Sequence, residues 1–336
     1  MTTFKTPKEF LVYIKKSEAF AYHGGQPSPQ YQEIHREQQK QLEIERVDPE
    51  AFFDNHFDEL LTLVSDILPE EKQAEVKQRI AVGCLDHKEV NAFIVPSDDG
   101  RHFAILINRA MITMLNHYIK LIAAALYPDS VIYCDGLPPG KLTKADYVKM
   151  STQMLKKYDT TNNPIGPALK IAIHSDAMNF VENALVAIHL FILSHEVGHY
   201  INGDLSDPKN FKKCSWFKGA ELFLGNSSHN KEFKADEFAF DATLRVLSNK
   251  GAMSSVLRAF DLSITLLFNF IREMSEHGCD SHPRSRDRLL SVTHTFLGQE
   301  AARLMQKSFN DTSVIQEFQR HIGNRTVAEV LNDRAK

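Results

Sequence analysis

Apolar side chains recur at helical spacing over much of this chain. Phe52, Phe53, Phe57, Leu60, Leu61 and Val64 repeat near every third or fourth position, which predicts a helix from Pro49 to about Leu68. A charged helix from Glu70 to Ile80 is expected next. From Glu89 the pattern changes to two apolar runs, EVNAFIVP and RHFAILIN, separated by the turn sequence SDDG, and this reads as a β-hairpin. Arg109 to Ala125 returns to helical spacing.

Between residues 128 and 175 the pattern is harder to read: Pro-Pro-Gly at 138–140 and Asn-Asn-Pro-Ile-Gly-Pro at 162–167 mark loops, and a strand is expected at Lys170 to His174. Ser175 or Asp176 can cap a long helix that runs to about Ile201 and stops at Gly203. A polar loop over 203–229 leads to a helix from Asn230 to Ser248. Beyond it come an apolar helix from Met253 to Met274, a loop at 276–284 and two amphipathic helices. The first 50 residues are polar and broken by Gly-Gly-Gln-Pro-Ser-Pro at 24–29, which predicts a peripheral helix, a loop and an exposed helix. The expected class is α+β, mostly helical with a small sheet. Three regions follow: a helical extension at 1–80, the main domain at 81–295 and a helical segment at 296–336.

Composition narrows the function classes. With 43% hydrophobic and 24% charged residues in 336, the chain can bury a sizeable core. A formal net charge of -4 gives no overall attraction to nucleic acid or to an anionic membrane. Cys84, Cys134, Cys214 and Cys279 are scattered and form no CxxC pair, so they read as free thiols of a reducing compartment. The start, MTTFKTPKEF, has no apolar core of a signal peptide. The most apolar runs, Ile119–Tyr127, Ala184–Leu193 and Leu262–Ile271, fall short of the roughly 18 to 20 residues a membrane span needs. No membrane span and a cytoplasmic location are therefore expected.

The long helix carries the chemistry. In SHEVGH, His195 and His199 stand four residues apart, so both imidazoles project from one helical face and can grip one ion. Glu196, rotated by about 100 degrees from His195, suits a base acting on water whose pKa a zinc ion lowers to about 7. Leu185, Ile188 and Ile192 precede the histidines on nearly the same stripe, so that face is buried. A catalytic zinc needs a third protein ligand and an open position. The metzincin solution fails, because Asn202 and Leu205 stand where glycine and histidine would be required. EFKADEFAFDA supplies Glu232 as the ligand and Asp236, one turn on, as acceptor for the outward N–H of a ligating histidine. Small Ala235 and Ala239 allow the two helices to approach. His229 is a competing third ligand.

In this order the motifs resemble those of the M48-type peptidases, a gluzincin family: HEVGH at 195–199, EFKAD at 232–236 and HPRSRDR at 282–288, preceded by VNAFIVP and FAILINRAMITML. The resemblance covers about residues 85 to 292. It implies a zincin-like fold with the sheet beside the active-site helix and a substrate strand pairing near His102–Asn108. It also implies that His282 stabilises the oxyanion of a tetrahedral intermediate and that Arg288 aids the site electrostatically. Two features depart from the family: its usual members are membrane proteins or carry export signals and this chain shows neither, so prenylated-protein processing and envelope quality control are not carried over, and the 203–229 loop and the amino-terminal 80 residues have no family reading. Other soluble HExxH proteins, the Lit-like and ImmA/IrrE-type peptidases among them, share the first motif. The expectation is a Zn2+-dependent peptidase cleaving a peptide or protein, with metal ligands His195, His199 and Glu232 and base Glu196. The alternative is a regulatory or binding module that keeps zinc without turnover, and a plain helical interaction protein is a third reading.

Overall fold

The computed structural model describes residues 3–18, 33, 49–134, 142–161, 171–205, 211–213, 223–225, 229–249, 267–268 and 283–309. Helix α1 (Pro7–Glu18) is followed by α2 (Pro49–Asp66) and α3 (Glu70–Arg79), then by strands β1 (Ile80–Leu85), β2 (Ala92–Pro96) and β3 (Phe103–Asn108). Next come α4 (Arg109–Leu126), β4 (Val131–Cys134), α5 (Lys144–Thr161), β5 (Ile171–Ile173) and α6 (Ser175–Ile201). The short strands β6 (Phe211–Lys213) and β7 (Phe223–Gly225) precede α7 (His229–Asn249), α8 (Ser285–Leu297) and α9 (Gln299–Ser308). The expected helix at 253–274, the loop at 276–284 and the region from 19 to 48 lie outside the described residues, apart from single positions.

The expected hairpin is present. β2 pairs antiparallel with β3 in the register Ala92 to Ile107 through Pro96 to Phe103, and Gly100 takes the left-handed φ of 66° that closes the turn. The sheet has a third member that the hydrophobic pattern did not separate from the helix before it. β1 follows α3 with no intervening turn and pairs with β3 in parallel, giving the order β1-β3-β2. Side chains alternate between two buried faces. Val82, Cys84, Ile94, Ile105 and Ile107 enter the main core with α2, α4 and α6. Ala81, Leu85, Phe93, Ala104 and Leu106 meet Phe10 and Leu11 of α1. A sheet covered on both sides reads as continuous apolar runs rather than alternation.

Asp54 of α2 ties this corner together: one oxygen accepts the Cys84 backbone N–H at 2.7 Å and the other pairs with Lys15 of α1 at 2.8 Å. Gly83 packs closely there, since a Cβ would lie 3.1 Å from both the Asp54 carboxylate and the Leu11 side chain. β4 and β5 form a separate antiparallel pair, with β5 inside the expected strand, and α5 between them was not foreseen. The segment read as the 203–229 loop contains the β6–β7 ribbon.

Helix α6 is the central element, packing against α2, α4, α7 and β2. It begins at Ser175 with His174 in the cap position, one residue before the expected cap. By length and composition Ala177–Ile201 suffices to cross a membrane, far exceeding the Ala184–Leu193 run, yet most of it is enclosed by protein. Such a helix is the core of the fold; no other described helix passes that test. Cys84 and Cys134 are buried free thiols, whereas Cys214 and Cys279 fall outside the described residues.

Candidate metal centre

The last two turns of α6 present His195, Glu196 and His199, and the first turn of α7 presents Glu232. The two helices meet because their facing residues are small. A Cβ on Gly198 would sit 3.2 Å from the Ala235 Cα and carbonyl oxygen, so glycine sets the separation at the level of the histidines. Ala235, Asp236 and Ala239 continue the buried face of α7. Ile188 and Ile192 are buried as the stripe required, and Leu185 is partly covered.

The three ligand groups converge. His195 Nε2 lies 3.1 Å from His199 Nε2, while Glu232 Oε2 is 3.5 Å from the first and Glu232 Oε1 is 3.4 Å from the second. Such separations, close to the roughly 3.3 to 3.6 Å between ligand atoms around a tetrahedral ion, allow the three groups to hold one metal ion. These residues form the one such cluster among the described residues. His229 stands exposed at the start of α7 and is not part of it.

Each imidazole turns its other nitrogen to a carboxylate. His195 Nδ1 is 3.0 Å from Asp236 Oδ1. His199 Nδ1 is 2.9 Å from Asp204 Oδ2, a partner that sequence reasoning missed. Arg288 of α8 is buried and grips Asp236 with two hydrogen bonds, Nε to Oδ2 at 2.7 Å and Nη2 to Oδ1 at 2.6 Å, and its Nη1 is 3.8 Å from Glu232. Burial opposes ionisation of Asp236, but Arg288 overrides it and holds the carboxyl below its ordinary range. Burial likewise opposes a charge on His195, yet Asp236 and Glu232 outweigh it and lift this imidazole to about 9. Three buried carboxyl groups, Glu196, Glu232 and Asp236, stand beside one buried guanidinium, an acidic surplus that suits a bound cation.

A small pocket opens beside the cluster, and His195, Glu196 and Arg288 form part of its wall. The remaining wall is mainly apolar, contributed by Val90, Met111, Phe191, Ile192 and Leu267. Asn91 also borders it, 2% exposed, with an Nδ2 that has no hydrogen-bond partner among the described residues. The sequence had marked Asn91 only as part of a strand; its side-chain role emerges from the cavity.

One expectation needs correction. The strand near His102–Asn108 was to receive the substrate backbone, but β3 is the middle strand, with β1 and β2 paired to its two sides. Its N–H and C=O groups are committed to the sheet. β2 is the outer strand next to α6, and Val90, Asn91 and Ala92 at its start line the cavity. His282 lies outside the described residues. No family model, curated protein or solved structure matches this chain.

Proposed function

We propose that the protein is a zinc-dependent peptidase of the gluzincin, M48-like kind, acting in the cytoplasm on a peptide or protein. The observation that carries this reading is Glu196. Its carboxylate, 5% exposed, shares a cavity wall with His195 beside a three-residue ligand cluster. A structural zinc site closes its fourth position with a protein ligand and has no use for such a group. The order of the three motifs along the chain supports the finer family reading.

Zinc bound there supplies a Lewis acid that polarises a carbonyl and acidifies water. Glu196 then takes a proton from water as its oxygen attacks the scissile carbon, and returns it to the departing amine as the C–N bond breaks. Asp236 orients His195, and Arg288 keeps Asp236 ionised. By the resemblance, His282 steadies the oxyanion. Substrate backbone runs along the start of β2, whose residues line the cavity.

The test is a proteome-wide comparison of cleavage by wild type and Glu196→Gln, with zinc content measured in both. Zinc at one per chain in both proteins, with cleavage lost in the variant, is expected. Zinc retained with no cleavage by either protein would favour the regulatory module; equal cleavage by both would reject the mechanism.

A further inference from the structure

We infer that Asp204 is a positioning residue of the metal centre, fixing His199 by a route that also ties together the two ligand-bearing helices; this rests on the zinc reading above. Helix α6 ends in a Schellman turn. The Gly203 N–H bonds to the Tyr200 carbonyl at 3.1 Å and the Asp204 N–H to the His199 carbonyl at 3.0 Å, with Gly203 at a φ of 72°. That reversal carries Asp204 back over the last turn of α6. Its Oδ2 then reaches His199 Nδ1 at 2.9 Å, so backbone and side chain of one residue both hold the same histidine.

Asp204 is held from the second helix as well. Lys231, the residue before Glu232, places Nζ 3.8 Å from Asp204 Oδ1 and donates to the Asp204 carbonyl at 3.4 Å. The Asp204 side chain is 10% exposed and that of His199 11%, so water screens this contact little. With Nδ1 engaged by a carboxylate, Nε2 carries the lone pair, and it faces His195 Nε2 and Glu232. Asp204 therefore sets the tautomer and ring angle of one ligand, while its link to Lys231 keeps the chain around Glu232 in register with it.

The experiment measures zinc binding to metal-free full-length wild type, Asp204→Ala and Asp204→Asn by competition with a chromophoric chelator, alongside thermal melting of each metal-free protein. Zinc affinity is expected to fall about 10- to 100-fold in Asp204→Ala. A smaller loss is expected in Asp204→Asn, which keeps an acceptor oxygen, with metal-free melting of the asparagine variant unchanged. Wild-type affinity in both variants would overturn the assignment, as would a lowered metal-free melting point with affinity intact, the mark of a purely structural helix cap. Wild type that takes up no zinc would instead bring down the metal reading as a whole.

Discussion

Arg288 and Asp236 form a two-point ion pair at the join of α7 and α8, with both side chains at most 2% exposed. Through Asp236 this pair reaches His195, and Arg288 Nη1 also stands 3.8 Å from Glu232, so the third helix of the site bears on the ligand cluster by both routes. Removing one partner strands the other as a buried charge, which costs about 3 to 5 kcal/mol. Arg288→Met is therefore expected to lower the unfolding free energy of the metal-free protein by that amount in a denaturant titration. A double variant with Asp236→Leu is expected to recover much of the stability and none of the cleavage activity. Stability unchanged in Arg288→Met would contradict the buried geometry.

Gly198 offers a second test that leaves every charged group in place. Its would-be Cβ meets backbone, the Ala235 Cα and carbonyl oxygen, rather than the end of a flexible side chain. Helix α7 must then move, at about 1 to 3 kcal/mol, even though alanine favours helix over glycine by about 1 kcal/mol. Gly198→Ala is expected to melt at lower temperature than wild type and to bind zinc more weakly, because the shift separates Glu232 from the histidines. A higher melting temperature would mean that the helices are not in close contact.

The parts of the site that sequence revealed are those whose geometry is local. His195 and His199 share a face because of helical period alone, and so do Glu232 and Asp236. That the two pairs meet depends on Gly198 against Ala235, a contact between residues far apart in sequence. Asp204 was missed for a related reason: Gly203 was read as a stop, but the turn it makes also throws the next residue back onto His199. The pattern Asn-Gly-Asp after the second histidine was the available signal. β1 escaped notice because both its faces are buried and it follows α3 directly, so no alternation or turn announced it. α5 did carry a signal that went unread: Thr143 and Asp146 cap one another's backbone N–H groups, and Tyr147, Met154, Leu155 and Tyr158 form its buried stripe.

Buried His189, packed against half-buried His56, makes stability depend on pH. His189 lies on α6 with Nδ1 3.2 Å from His56 Nε2 of α2, beside the Phe57 ring, and burial followed by the neighbouring imidazole depresses it to about 3. In the unfolded chain it titrates near 6.5. Above that pH both states are neutral and stability is full. Below it the unfolded state binds the proton that the folded state refuses, and stability falls by up to about 1.4 kcal/mol per pH unit down to about 3. Unfolding of metal-free wild type and His189→Leu between pH 7.5 and 5 tests this. The difference between the two curves should change by about 2 kcal/mol in the leucine variant's favour as pH falls, and parallel curves would refute it.

On the proposed peptidase reading, the pocket wall sets which side chains the site accepts. Met111, Phe191, Ile192, Val90 and Leu267 face the space beside Glu196, and Arg288 on its wall is committed to Asp236. A large aliphatic or aromatic side chain next to the scissile bond gains by leaving water there, at about 25 cal/mol per Å². A charged side chain must shed its hydration against a mainly apolar wall. Peptide libraries are therefore expected to show leucine- or phenylalanine-bearing substrates cleaved at least about 10-fold faster in kcat/KM than alanine-bearing ones. Ile192→Trp, which fills the cavity without touching a ligand, should reverse that order in favour of small side chains while zinc content stays at one per chain. Equal rates for apolar and charged substrates would place the substrate elsewhere than this cavity.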